Sequence, residues 1–128
     1  MKNILSILSV LIALGSSAYA GSNVNVSGNW VGVNYASQVS GPSKVKLYLT
    51  QVGKNITGTY WAATGVAGNG KGVMTGSNTF HMNWVNTTKS CPGKYSDDYI
   101  INKNQLTWTF TGRDCLGKET GHGYAKRD

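Results

Sequence analysis

At 128 residues, with twelve Lys and Arg against five Asp and Glu, the chain carries a formal charge of +7 and is long enough for one domain with a modest core. Five acids and two histidines leave few groups for acid–base catalysis. Past the leader no apolar run recurs at helical spacing, which excludes a helical fold.

The first twenty residues carry Lys2, an apolar and small run from Ile4 to Gly15, and Ala18-Tyr19-Ala20 ahead of Gly21, the pattern of a secretory signal peptide over 1–20. Cleavage there predicts one mature domain over 21–128, secreted or periplasmic. The apolar run is too short to span a bilayer and no second one follows, so no membrane span is expected.

Eight segments then read as strands: Gly28 to Tyr35, Lys44 to Gln51, Asn55 to Ala62, Lys71 to Ser77, Thr79 to Asn86, Tyr95 to Asn102, Gln105 to Gly112 and Thr120 to Lys126. Alternation of apolar and polar residues is clearest where Val45, Leu47 and Leu49 share one face. It returns in Phe80-His81-Met82-Asn83-Trp84 and in Leu106-Thr107-Trp108-Thr109-Phe110. The connections alternate long and short, and in an antiparallel meander all the long ones fall at one end. The prediction is all-β: an eight-stranded antiparallel up-and-down barrel, open at one mouth, the smallest common barrel able to enclose one small ligand.

Cys91 and Cys115 fall in the long connections 87 to 94 and 113 to 119, which this topology places together at the mouth. In an exported protein they are expected to form one disulfide, two free thiols or a metal pair being the alternative. Thr-Gly recurs at irregular intervals, so glycine serves the bending of a small barrel rather than a repeat.

The same alternation points Trp30, Tyr60, Phe80, Trp84, Trp108 and Phe110 inward and Tyr35, Tyr48 and Trp61 outward. Inward rings either fill the core or line a pocket. Trp61 and Tyr48 on the outer face mark a candidate surface for a homo-oligomer or partner. Asp97 and Asp98 are adjacent and face opposite sides, so they cannot serve as a catalytic pair on one substrate; one solvated and one salt-bridged or turn-bound carboxylate is the simpler expectation. His81 faces outward and shares no metal spacing with His122. With no nucleophile, phosphate or nucleotide motif either, the expectation is a protein that is not an enzyme and needs no cofactor or metal. Lys89 and Lys94 flank Cys91 while Arg113 and Lys118 flank Cys115, a basic rim that would steer an anionic glycan or protein.

Gly28-Asn29-Trp30 resembles the Gly-x-Trp opening shared by lipocalins, fatty-acid-binding proteins and avidins. Ile56-Thr57-Gly58-Thr59-Tyr60 is similar to the third-strand Leu-Thr-Gly-Thr-Tyr of avidins and streptavidins. Met82-Asn83-Trp84-Val85-Asn86, the cysteine at Cys91 and Gly121-His122-Gly123-Tyr124-Ala125-Lys126 follow in the family's order. The resemblance implies an avidin-like binding barrel with Tyr60, Trp84 and Trp108 as aromatic walls; with Asn34 and Phe80 these form the candidate ligand-binding set. It also implies a dimer or tetramer. The family's polar ring for biotin falls on Gly32, Ala36, Ala62 and Gly123, and Arg113 to Glu119 holds no tryptophan to offer across subunits, so the expected ligand is a small molecule other than tightly bound biotin. Two alternatives belong to other classes. One is an inhibitor of a secreted acidic hydrolase working through the mouth loops, since Ser27-Gly28-Asn29-Trp30 also resembles the opening of bacterial metallopeptidase inhibitors. The other is an oligomeric envelope module with a filled barrel.

Overall fold

The strands of this chain close on themselves. In the computed structural model, which describes residues 24–128, β1 (Gly28–Ala36), β2 (Ser43–Val52), β3 (Asn55–Ala62), β4 (Ala67–Met74), β5 (Thr79–Asn86), β6 (Lys94–Asn102), β7 (Gln105–Asp114) and β8 (Gly117–Arg127) form one closed antiparallel barrel. Each strand pairs with the next, and β8 returns to β1 from Trp30↔Arg127 to Ala36↔Gly121. The all-β fold read from the alternation is therefore the fold observed. No helix among the described residues is long and apolar enough to cross a membrane. The expected signal peptide lies outside the described residues.

Two strand starts differ from expectation by more than one residue. β4 begins at Ala67 rather than Lys71, and ends at Met74 rather than Ser77. Its first three inward positions are Gly68, Gly70 and Gly72, paired with Asn86, Trp84 and Met82 of β5, so until Met74 the strand has no inward side chain to display a pattern. β8 begins at Gly117 rather than Thr120, and β7 runs on to Asp114. The connection expected over 113 to 119 is thus a tight turn at Cys115-Leu116, with Gly117 at φ +96° and the Leu116 N–H donating to Asp114 Oδ1 at 2.8 Å.

Alternation also sets the interior. Val45, Leu47 and Leu49 are buried while Lys44, Lys46, Tyr48 and Thr50 are exposed. Trp30, Phe80, Met82, Leu106 and Ala125 pack the lower barrel. The segment before β1 seals that end: Val26 is wholly buried, its N–H donates to Gln51 Oε1 at 2.9 Å, and its carbonyl accepts Trp30 Nε1 at 2.9 Å. The Arg127 guanidinium lies 4.4 Å over the Trp30 ring and donates to the Asn25 carbonyl at 3.0 Å. A cavity lies toward the opposite end.

Inward glycines make room for the rings. A Cβ on Gly70 would stand 2.3 Å from the Trp84 ring, and one on Gly123 would stand 2.3 Å from Trp108 and 2.7 Å from the Val33 carbonyl. The glycines therefore act less as bends than as floors on which indoles lie. Gly70→Ala or Gly123→Ala should cost about 1–3 kcal/mol by overpacking, read as a lower urea midpoint at unchanged slope. Gly123→Ala should be the worse of the two, because backbone closes its other side. Midpoints equal to that of the parent would refute the close-packing account.

Candidate ligand cavity at the open end

Above the sealed core the barrel holds a cavity of about 410 Å³. Tyr60 reaches it from β3, Trp84 from β5, Tyr95, Asp97 and Tyr99 from β6, and Trp108 with Phe110 from β7. They converge because each occupies an inward position of its strand, and barrel closure turns every inward face toward one axis. The Tyr60 ring meets Trp84 edge-on with centroids 5.4 Å apart, and Tyr99 meets Trp108 at 5.5 Å.

Polar atoms on these walls form two chains. In the deeper one Trp84 Nε1 donates to Tyr99 Oη at 3.0 Å, and Tyr99 Oη donates to Asp97 Oδ2 at 3.0 Å. Nearer the mouth, Tyr60 Oη donates to Asn86 Oδ1, Asn86 Nδ2 donates to Tyr95 Oη at 3.2 Å and to the Cys91 carbonyl at 3.0 Å, and Tyr95 Oη donates to Asp114 Oδ2. Trp108 Nε1 donates separately to Asn34 Oδ1 at 3.0 Å.

Burial pushes the Asp97 carboxyl up to about 7, against the Tyr99 hydroxyl, which favours the charged form. Glu119 is also raised to about 7, first by burial and then by its contact with Asp114. Burial works against ionisation of Asp114, but the Tyr95 hydroxyl, Glu119 and the Leu116 N–H outweigh it and hold Asp114 below its ordinary value. The two carboxyls behave as one site that keeps a proton to near neutrality. Tyr60, Tyr95 and Tyr99 are all raised, chiefly by burial, and remain hydroxyl donors at neutral pH.

Of the residues singled out from sequence, Asn34, Tyr60, Trp84 and Trp108 line this cavity. Phe80 does not. It lies deeper, stacked flat on Tyr99 with centroids 4.6 Å apart, because β5 carries it two inward positions below Trp84. Asp97 is not the solvated, salt-bridged or turn-bound carboxylate expected; it lies within β6 and is 6% exposed, and it is Asp98 on the outer wall that meets His81, at 2.8 Å. Lys89, Lys94, Arg113 and Lys118 are exposed and none lines the cavity. Lys94, Arg113 and Lys118 are successive cross-strand partners on the outer face, so the basic group is a row outside the wall. Trp61 and Tyr48 are 44% and 53% exposed, and the Lys46 ammonium sits 5.8 Å from the Trp61 ring.

Cys91 and Cys115 are bonded to one another. Asp114 lies beside them, but disulfide sulfurs offer no thiolate to a metal ion. Sequence reasoning passed over Tyr95, Asp97, Tyr99, Asp114 and Glu119 as cavity residues. The signal was present: Tyr95, Asp97, Tyr99 and Ile101 share the inward parity of β6.

Neither a protein-family model nor a curated protein matches this sequence. Among solved structures the chain is similar to a redesigned beta barrel, mFAP0, bound to DFHBI, at 16% identity and a TM-score of 0.62, over 80% of this chain and 98% of that one. At that identity the likeness is one of fold: an eight-stranded antiparallel barrel.

Proposed function

We propose that the chain is an exported, non-enzymatic barrel that binds one small molecule at its open end, in the manner of the avidins it resembles. One observation carries this reading: a cavity of about 410 Å³, sealed below and walled by Tyr60, Trp84 and Trp108. A core built only for stability would have filled that space, since interiors pack to near-crystalline density. The volume falls in the range of sites for small ligands, roughly 300–1,000 Å³. The similar redesigned barrel carries a small molecule, DFHBI, in its own structure. The disulfide fits an oxidising compartment. Biotin is a poor candidate, because Ala36 and Ala62 line the cavity where avidins offer hydrogen bonds, and each unmet polar atom costs about 1–3 kcal/mol.

Two of the lining residues are tryptophans, so occupancy has an intrinsic reporter. Titration with a broad library of neutral, anionic and cationic small molecules, biotin included, should find compounds that change tryptophan emission saturably. Trp84→Phe should remove most of that change. A flat response across the library would overturn the proposal.

A further inference from the structure

Three of the five acidic residues of this basic chain lie inside it. Asp97, Asp114 and Glu119 line the cavity, and no Lys, Arg or His does. Among the described residues the one ion pair joins His81 to Asp98 on the outer wall, so the interior carboxyls have no basic partner. Asp97 Oδ1 and Glu119 Oε1 are buried with no hydrogen-bond donor, in residues only 6% and 4% exposed. Buried carboxylate oxygens are ordinarily paired, because leaving one unmet forfeits its hydration for nothing.

We propose that the occupant of the cavity is a small organic cation, a protonated primary amine on an apolar body, whose ammonium group is the base these carboxyls lack. This rests on the reading of the cavity as a ligand site. The ammonium brings three N–H donors to carboxyls that each hold one oxygen without any; those oxygens are covered in the empty barrel, so a carboxyl turns to meet the ligand, and a quaternary ammonium would have no N–H to offer. The faces of Trp84, Trp108 and Tyr60 attract a cation and pack against a hydrocarbon or aromatic body. A bare divalent ion fits less well, since the cavity far exceeds one ion and the exposed surface of its walls is more apolar than polar. The outer row of Lys94, Arg113 and Lys118 would repel stray cations, so the selectivity belongs to the interior.

The titration of these groups has a consequence for binding. Asp97 is faced by the Tyr99 hydroxyl on its own strand, with Tyr60 across the cavity and His81 and Asp98 beyond the wall; Glu119 is faced by Asp114 and Tyr60, with Tyr95 bonded to the far side of Asp114. Asp97 and Glu119 both sit near 7 in the empty barrel, so an entering cation favours their ionised forms and displaces protons. Binding should therefore strengthen as pH rises, by about tenfold between pH 6 and pH 8 if one carboxyl must ionise.

Calorimetry with primary amines, each paired with the alcohol and the carboxylate of the same skeleton, tests this directly. Tyramine, tyrosol and hydroxyphenylacetate make one such set. The amines should bind at least about tenfold more tightly than their alcohols, with proton release revealed by the dependence of the heat on buffer. Asp97→Asn or Glu119→Gln should weaken amine binding by about tenfold or more and weaken the alcohols by much less, so that the preference for the amine collapses. Melting curves of both variants, which lose a charge but not a side chain, confirm folding. Amines no better than alcohols would overturn the cation while leaving the ligand site standing. Calcium binding that competes with every amine would replace the organic cation by a metal ion. Silence from every compound, with tryptophan emission flat throughout, would remove the site as well.

Discussion

Asp97→Asn should make the empty barrel more stable at pH 8 and change it little at pH 4. Burial raises the Asp97 carboxyl from 3.8 to about 7, so the folded chain binds a proton that the unfolded chain has already lost across that interval. The sign follows from linkage. Where the folded state holds more protons, stability falls as pH rises, here from about pH 4 until the folded carboxyl has ionised near pH 7. The rise corresponds to about 4 kcal/mol in full, since each unit of pKa is about 1.4 kcal/mol. Asparagine stands in for the protonated acid: its carbonyl still accepts the Tyr99 hydroxyl, and its amide carries no charge to desolvate. The wild-type melting temperature should therefore drop between pH 4 and pH 8, and that of the variant should drop less, keeping only the part due to Glu119, by a difference on the order of 10 °C at pH 8. Parallel pH profiles would show that Asp97 is hydrated or paired in solution. The same substitution should weaken amine binding, so stability and function pull this residue in opposite directions.

The architecture was legible because period-two alternation is a property of side chains on a wall with one dry face. Val45, Leu47 and Leu49 declare their strand, and Phe80, Met82 and Trp84 declare theirs. The same signal fails where the inward residue has no side chain. Gly68, Gly70 and Gly72 hold the start of β4, and only the Tyr60, Trp84 and Met82 side chains resting on them show that the positions face inward. The aromatic walls could be read because tryptophan and tyrosine count as apolar in such a pattern. Asp97 and Glu119 could not, since a buried carboxyl contradicts the rule that defines the interior. Parity alone places Asp97 inside, between Tyr95 and Tyr99, yet the chemistry of the residue argues for solvent. Such conflicts between a local rule and the fold are expected where a binding site lies. Phe80 errs in the other direction: facing inward does not say how far along the axis a ring sits, and depth separates the packed floor from the cavity above it.

Replacing both cysteines by serine should lower the melting temperature by more than about 10 °C and should loosen the cavity before it unfolds the barrel. The bridge closes a loop of 24 residues, for which restriction of the unfolded chain gives roughly 3–4 kcal/mol. In a domain of this size each kcal/mol moves the midpoint by about 4–8 °C at the smaller end of the range and less at the larger. Position gives the bond its second effect. Cys91 lies in the 87–93 connection and Cys115 in the turn after β7, so the bond ties together the two ends of the mouth network. Asn86 anchors to the Cys91 carbonyl and orders Tyr60 and Tyr95, while Asp114 precedes Cys115 and accepts the Tyr95 hydroxyl. Freed from the bridge, the connection can move away from β7 without breaking any ladder pairing, and the polar chain opens with it. The double-serine variant should therefore keep its far-ultraviolet spectrum at room temperature while its ligand-dependent tryptophan emission weakens. A lower midpoint with unchanged ligand response would confine the bond to stability. An unchanged midpoint would mean that the eight-strand ladder fixes the mouth without it.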